Sequence, residues 1–257
     1  MTAQTGGAGV DRDPRRIQAM FSGISGRYDL MNRIMTAGLD RRWRRAAAIV
    51  AAVDPGGEAL DVCCGTGDLA LELARRYPHA GVVGLDFSDA MIDLARAKAR
   101  RFVACGREVE LVAGDLLALP FAAGRFSAVT AAFGVRNVSD LPLALSEMKR
   151  VTAAGGHVVI LEITQPASPA GRRFSAFWFD RCVPLLGGMI AGDLSAYSYL
   201  PASVRAFPSA DRLAGLMVAA GLQRVRYRRF GMGMIALHVG QVPSDRGASG
   251  ADAVRAG

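Results

Sequence analysis

Residues Leu60 to Leu73 read LDVCCGTGDLALEL, and the fold turns on how they are read. An apolar run of strand character stops at Gly65-Thr66-Gly67 and resumes with the period of a helix. The same change recurs downstream. GVVGLD (81–86) precedes SDAMIDLARAKARRFV (88–103), and EVELVAGD (108–115) follows. FSAVTAAF (126–133) precedes DLPLALSEMKRV (140–151), and GHVVILEI (156–163) closes the series. Strands that alternate with helices need crossover connections, so the chain is expected to be an α/β fold with a mostly parallel sheet. QRVRYRRF (223–230) and MIALHVG, joined through Gly231-Met232-Gly233, predict an antiparallel hairpin at the end of that sheet.

The rest of the chain is organised around this core. Residues 14–53 form a helical cover, with breaks expected at Gly26 and Gly38, Pro14 in a first helical turn and Asp40 as an N-cap. Residues 165–207 are a mixed insertion on the substrate side, followed by a helix from Ser209 that ends at Gly221. The single domain spans 14–242, between tails 1–13 and 243–257 whose composition predicts disorder. No secretory signal opens the chain, and Phe174–Gly192, the most apolar late stretch, is interrupted by Asp180, Arg181 and Pro184 and falls short of a membrane span.

Composition narrows the function. At 257 residues, 51% hydrophobic and 21% charged, the chain is an ordinary globular protein. Its four cysteines show no CxxC spacing, which argues against zinc; Cys63 and Cys64, read on a strand, point to opposite faces, and all four are taken as thiols of a cytoplasmic protein. The net charge of +8 fits an anionic membrane surface or plain solvated arginines. Nucleic acid is not expected, because the basic residues do not interleave with aromatics and no nucleic-acid module is present.

A glycine turn after the first strand is the usual ligand site of an open parallel sheet. Gly65-x-Gly67-x-x-Ala70 matches the dinucleotide fingerprint, and Asp86, at the end of the next strand, stands where a carboxylate grips ribose hydroxyls. Charge argues against a pyrophosphate, since Asp61 leads into the turn and Asp68 opens the helix beyond it. These acids suit a ligand with a ribose, no phosphate and positive charge, such as S-adenosylmethionine. Asp115, after the third strand, is placed to accept the exocyclic amine of adenine.

The segments RYDLMN, LDVCCGTGD, GLDFSDAMI, GDLLALPF, FGVRN and YSYLPASVRAFP together resemble the ubiquinone/menaquinone biosynthesis C-methyltransferases over Ile17 to Gly240. The resemblance implies a Rossmann-like class I S-adenosylmethionine-dependent methyltransferase that methylates a ring carbon of a polyprenylated quinol. The acceptor is expected to be demethylmenaquinol, with the methoxylated benzoquinol of the ubiquinone route as the alternative. The expected cofactor-binding residues are Asp61, Gly65, Thr66, Gly67, Asp86, Phe87, Gly114 and Asp115. Two departures stand out: Asp40 replaces a His that many members carry, and Ala132 replaces a Ser beside the cofactor.

A ring carbon becomes nucleophilic when a neighbouring hydroxyl loses its proton, so the reduced quinol is the sensible acceptor. Arg136 is expected to stabilise that phenolate or to hold a water that takes its proton, against an ion pair with Asp140 or Glu147 as the plain structural role. Asn137 is expected to orient the ring, and Tyr28 with Asp29 to close the site from the cover. His79, His157 and His238 are read as packing or surface residues, and Met31, Met35, Met189 and Met232 as core filler. The tail of the acceptor calls for a peripheral site on the membrane, and Phe174–Gly192 either docks there through Trp178 and Phe179 or packs as a buried crossover helix; a homodimer is an allowed assembly. Competing readings are a methyltransferase for a sterol, phenol or amine, a nicotinamide-dependent oxidoreductase, and a non-catalytic scaffold. The intact glycine loop speaks against the last.

Overall fold

The computed structural model describes residues 14–103, 108–183, 185 and 195–244. The expected tail at 1–13, most of the tail at 243–257, Cys105, Pro184 and Met189 lie outside the described residues. Seven strands form one sheet in the order β3-β2-β1-β4-β5-β7-β6. The strands are β1 (Glu58–Val62), β2 (Gly81–Asp86), β3 (Glu110–Ala113), β4 (Phe126–Ala132), β5 (Thr152–Ile163), β6 (Gln223–Phe230) and β7 (Ile235–Gln241). Strands β1 to β5 are parallel to one another, whereas β7 runs antiparallel to both β5 and β6. The expected hairpin is therefore present, turning at Gly231–Gly233.

The buried central strands explain their own sequences. β1 and β4 are covered on both faces, so they read as continuous apolar runs instead of alternating ones. One face carries Leu60, Val62, Leu85, Val129 and Ile160, packed under Leu145 and Met148 of α5 (Leu141–Val151) and Leu213 and Met217 of α8 (Ala210–Ala219). The other carries Ala59, Ala128, Val159 and Leu161 under α2 (Asp40–Ala51) and α3 (Asp68–Arg76). Between β2 and β3 the chain forms α4 (Asp89–Val103). After β5 come α6 (Pro169–Phe177), a π-helical turn at Trp178–Cys182, and α7 (Ser195–Ala206).

Three local expectations are corrected. The cover helix α1 (Pro14–Met35) runs unbroken through Gly23 and Gly26. Glycine costs a helix about 1 kcal/mol, and tertiary anchoring outweighs it: Ile17 and Met31 are buried, Gln18 donates to the Phe87 carbonyl at 3.1 Å, and Asp29 pairs with Lys98 of α4 at 2.5 Å. Strand β1 stops at Val62, so Cys63 and Cys64 belong to the turn, and Cys63 takes a φ of +51°. Asp40 makes no capping bond to the α2 backbone; its carboxylate instead pairs with Arg44 and accepts from Thr36 at 3.1 Å.

Chain order reverses between β1 and β4, which opens a crevice at their carboxyl ends. Gly134, just past β4, closes one side: a Cβ there would lie 2.3 Å from the Cβ of Cys63. Gly23 has nothing within 4 Å of the same position. Gly134→Ala is expected to lower stability by roughly 1–3 kcal/mol through forced loop displacement, and Gly23→Ala to raise it by about 0.5–1 kcal/mol. Thermal unfolding of the two variants checks the contrast.

Candidate active site

The glycine turn is held by its neighbour strand. Gly65 donates its amide to Asp86 Oδ2 at 2.8 Å, and Asp86 Oδ1 accepts from the Ser88 amide at 3.0 Å. Gly65 and Gly67 both adopt the left-handed region, at φ +54° and +82°, and Gly67 stands directly before α3. Asp86 is thus fixed at the mouth of the crevice. Burial pushes its carboxyl above the ordinary value, with the amides of Ser88, Gly65 and Phe87 opposing.

A cavity opens over this turn. Gly65, Asp86, Phe87, Gly114 and Asp115 line it, together with Ile17, Leu85, Met91, Leu116, Leu117, Phe133, Asn137 and Val138. Asp115 also caps the short 3-10 turn Leu116–Ala118, accepting from Leu117 at 2.9 Å. The two charged residues of this lining are acids, and neither lysine nor arginine is among its described residues. That donor set fits an adenosyl group with a cationic end: carboxylates for hydroxyls and amine, apolar walls for the base. It offers a pyrophosphate no counter-charge.

Asp61, Thr66 and Gly67 do not line this cavity, and the charge argument built on Asp61 and Asp68 is corrected. Asp61 points into the core beside its strand partner, accepting from Thr130 at 2.9 Å. Burial pushes its carboxyl up to about 7, against the Thr130 bond and the Arg44 charge. Asp68 is paired with Lys98 at 2.7 Å; burial works against its charge, but Lys98 and Arg44 prevail and hold its carboxyl below the ordinary value. The Thr66 hydroxyl donates to Asp29 at 2.7 Å and accepts from Lys98 at 2.8 Å. These residues shape the loop and tie the cover to it. The charged residues that do line the cavity are Asp86 and Asp115.

A second cavity lies behind Phe133, which lines both. Its walls come from α1 (Met20, Met31, Asn32, Met35), α2 (Asp40, Trp43, Arg44), Ile163, the π-helical turn (Trp178, Phe179), Tyr199 and Leu200 of α7, Met234 and Ile235. The 3-10 turn Val135–Asn137 serves both spaces, for Arg136 lines the second cavity and Asn137 the first. Tyr199 donates its hydroxyl to Asn137 Oδ1 at 3.2 Å. Tyr28 sits on α1, but its side chain lies outside the described residues.

Arg136 pairs with neither Asp140 nor Glu147. Its partner is Glu162, near the end of β5: Oε1 takes the guanidinium at 3.1 Å and Oε2 takes the Arg136 backbone amide at 3.2 Å. The guanidinium also donates to the Phe133 carbonyl. Burial pushes the Glu162 carboxyl up against the charge of Arg136. Arg136 is only 7% exposed, and its Nε–H is buried without a partner among the described residues. A buried donor left unpaired costs about 1–3 kcal/mol and is expected where a ligand completes the bond.

Comparison with known proteins fits this geometry. The profile of the ubiE/COQ5 methyltransferase family matches residues 10–242. The chain belongs to that family. A demethylmenaquinone methyltransferase of Thermus thermophilus is 48% identical over 224 residues, covering 87% of this chain and all of the relative. The demethylmenaquinone methyltransferase of Deinococcus radiodurans is 44% identical over 87% of this chain and 91% of its own length. Among solved structures, the [4+2]-cyclase SpnF superposes with a TM-score of 0.67 at 16% identity, covering 95% of this chain and all of that one. A methyltransferase from Aquifex aeolicus dependent on S-adenosylmethionine superposes with a TM-score of 0.55 at 16% identity, covering 77% and 88%. The enzyme is a methyltransferase of the Rossmann-like class, and its family and fold imply S-adenosylmethionine as the methyl source.

Residues that sequence reasoning missed are Glu162, Arg44, Lys98 and Tyr199. A carboxylate inside the apolar run HVVILEI was the one available signal, for Glu162. Burial and the charge of Asp86 push the Cys63 and Cys64 thiols well above their ordinary value, which disfavours their thiolate forms.

Asp61 also makes stability depend on pH. Its folded value of about 7 exceeds the ordinary 3.8, so the folded state binds the proton more tightly, and that contribution disappears as pH rises through this window. Relative to wild type, Asp61→Asn should gain melting temperature steadily between the ordinary value and about 7. A flat difference would remove Asp61 as the source.

Proposed function

We propose that the enzyme methylates a ring carbon of a polyprenylated quinol, with demethylmenaquinol as the acceptor and the methoxylated polyprenyl benzoquinol as the alternative. The carrying observation is the pairing of spaces across Phe133: an acid-lined cavity on one side, and an apolar cavity with a buried arginine on the other. The names of the Thermus thermophilus and Deinococcus radiodurans relatives support the naphthoquinol choice. A nicotinamide-dependent oxidoreductase is disfavoured by the lack of counter-charge in the first cavity.

In this reading Gly65, Asp86, Phe87, Gly114 and Asp115 hold S-adenosylmethionine, which supplies an electrophilic methyl group when bound. The methionine and aromatic side chains of the second cavity take the fused ring and the start of its tail. Arg136, fixed by Glu162, stabilises negative charge on the hydroxyl oxygen next to the attacked carbon, so electron density moves onto that carbon. Asn137, steadied by Tyr199, bounds the donor side and sets the approach. Excluding water from this space keeps the charged groups strong.

Arg136→Gln tests the assignment. Its kcat on a quinol acceptor should fall by 10²–10³, while calorimetry shows cofactor affinity within about twofold. Unchanged turnover would take Arg136 out of the mechanism.

The tail of such an acceptor resides in a bilayer, and no helix among the described residues is long and apolar enough to cross one. The proposal therefore includes peripheral docking through α6. Trp178 and Phe179, expected to face lipid, instead line the second cavity, whereas Phe174 and Phe177 are 37% and 59% exposed beside the exposed Arg172, Arg173 and Arg181. An aromatic patch edged with arginine, on a helix that runs directly into the π-helical turn lining the second cavity, fits an anionic surface. Phe174→Ser with Phe177→Ser should abolish flotation with anionic vesicles while leaving the melting temperature unchanged. Equal flotation of variant and wild type would discard this surface.

A further inference from the structure

The second cavity contains a second buried ion pair that the chemistry above does not use. Arg44 pairs with Asp40 one turn along α2, with side-chain exposures of 9% and 3%, and Thr36 donates to the other oxygen of Asp40 at 3.1 Å. Both members line the cavity, whose other walls are mostly methionine, aromatic and aliphatic. The pair sits beside the shared wall, with the Arg44 guanidinium 5.2 Å from the centre of the Phe133 ring. Arg136 meets the same residue at its carbonyl. Two buried acid–arginine pairs therefore flank Phe133.

A buried pair of this kind is weak evidence for stability. Replacing a buried ion pair with apolar side chains is often neutral or stabilising, because two charges lose their hydration. Nor does the helix use Asp40 as a cap. Asn32, Thr36 and Tyr199 also line this cavity, but Asp40 is the one carboxylate among its described lining residues.

A quinol carries two hydroxyls on opposite edges of its ring, and Arg136 accounts for one. We propose that Asp40, held by Arg44 and Thr36, accepts a hydrogen bond from the second hydroxyl and thereby selects the reduced ring over its quinone. The inference rests on the quinol reading above and adds a specificity-determining residue to it. A quinol hydroxyl is a donor, and a carboxylate accepts it; a quinone carbonyl is an acceptor, and the same carboxylate repels it. Selection at this atom keeps the unreactive oxidised ring from occupying the site. Arg44 and Thr36 fix the orientation of the Asp40 carboxylate, so the discrimination is built in before the acceptor arrives.

The test uses the full-length enzyme, S-adenosylhomocysteine to prevent turnover, and a short-tailed naphthoquinol with its quinone, titrated without oxygen. Wild type should bind the quinol at least about tenfold more tightly than the quinone, the ratio expected for one charge-assisted hydrogen bond. Asp40→Asn should close that gap to within about twofold, because an amide can donate to the quinone as well as accept from the quinol. S-adenosylhomocysteine affinity should stay unchanged. A gap that persists in Asp40→Asn, or its absence in wild type, overturns the inference. Should the variant not fold, wild type decides alone. The mono-O-methyl ether blocked at the hydroxyl remote from the methylated carbon should bind about tenfold more weakly than the free quinol, and equal binding overturns the inference. Failure of wild type to methylate any quinol overturns the acceptor reading and this inference with it. Methylation with an unaltered preference in Asp40→Asn overturns this inference alone.

Discussion

The approach of two loops at the centre of the sheet is the constraint from which the site follows. The turn after β1 and the turn after β4 leave neighbouring strands in the same direction, and a Cβ on Gly134 would press within 2.3 Å of Cys63. Glycine is required there by space. Once the loops meet, Gly65 and Asp86 are set on one flank, with Phe133, Arg136 and Asn137 on the other. Asp86 accepts from the amides of both its own loop and the glycine turn, so the first cavity is shaped by the protein alone. Such preorganisation is the main way a protein lowers a barrier that depends on orientation.

The same constraint divides the chemistry. Residues 133 to 137 form one short turn, yet its side chains serve two spaces, with Phe133 as the partition. On the donor side the charged groups are acids; on the acceptor side each acid is matched by an arginine. Glu162 illustrates the cost. Its carboxylate is fully buried on a central strand, and only three donors, the Arg136 guanidinium and the amides of Arg136 and Ile163, make that placement tolerable. An expense of this kind at the end of β5 fits a need to hold one arginine in one orientation.

Local pattern made most of this legible. The strands show as continuous apolar runs because a parallel sheet buries both faces, and Gly65-Thr66-Gly67 marks the turn because few residues tolerate its backbone angles. Pairings remote in sequence were not legible. Asp68 reads as an uncompensated acid until Lys98, thirty residues on, is seen against it. Asp40 reads as a cap until Thr36 and Arg44 claim both of its oxygens. Gly26 reads as a helix break, but α1 is anchored at Ile17, Gln18 and Asp29, and those contacts override propensity. The acceptor cavity draws its wall from α1, α2, β5, the π-helical turn, α7 and β7, a set that no single window of sequence contains.

Charge accounting then explains why the two spaces differ as they do. Near the glycine turn, Lys98 serves both Asp29 and Asp68, and the charges of Arg44 and Arg33 also act on Asp68, so these acids are compensated. Asp86 and Asp115 are the charged residues in the described lining of the first cavity, a field that favours a cation in the proposed reading. In the second cavity the pairs are neutral overall and the walls are apolar, so a ring can be made anionic beside Arg136 without being hydrated. Transfer between a cationic donor and an anionic ring cancels charge, and a low dielectric strengthens that attraction where water would screen it. A wall of phenylalanine between an acidic cleft and an oily one is what such a reaction asks of a protein.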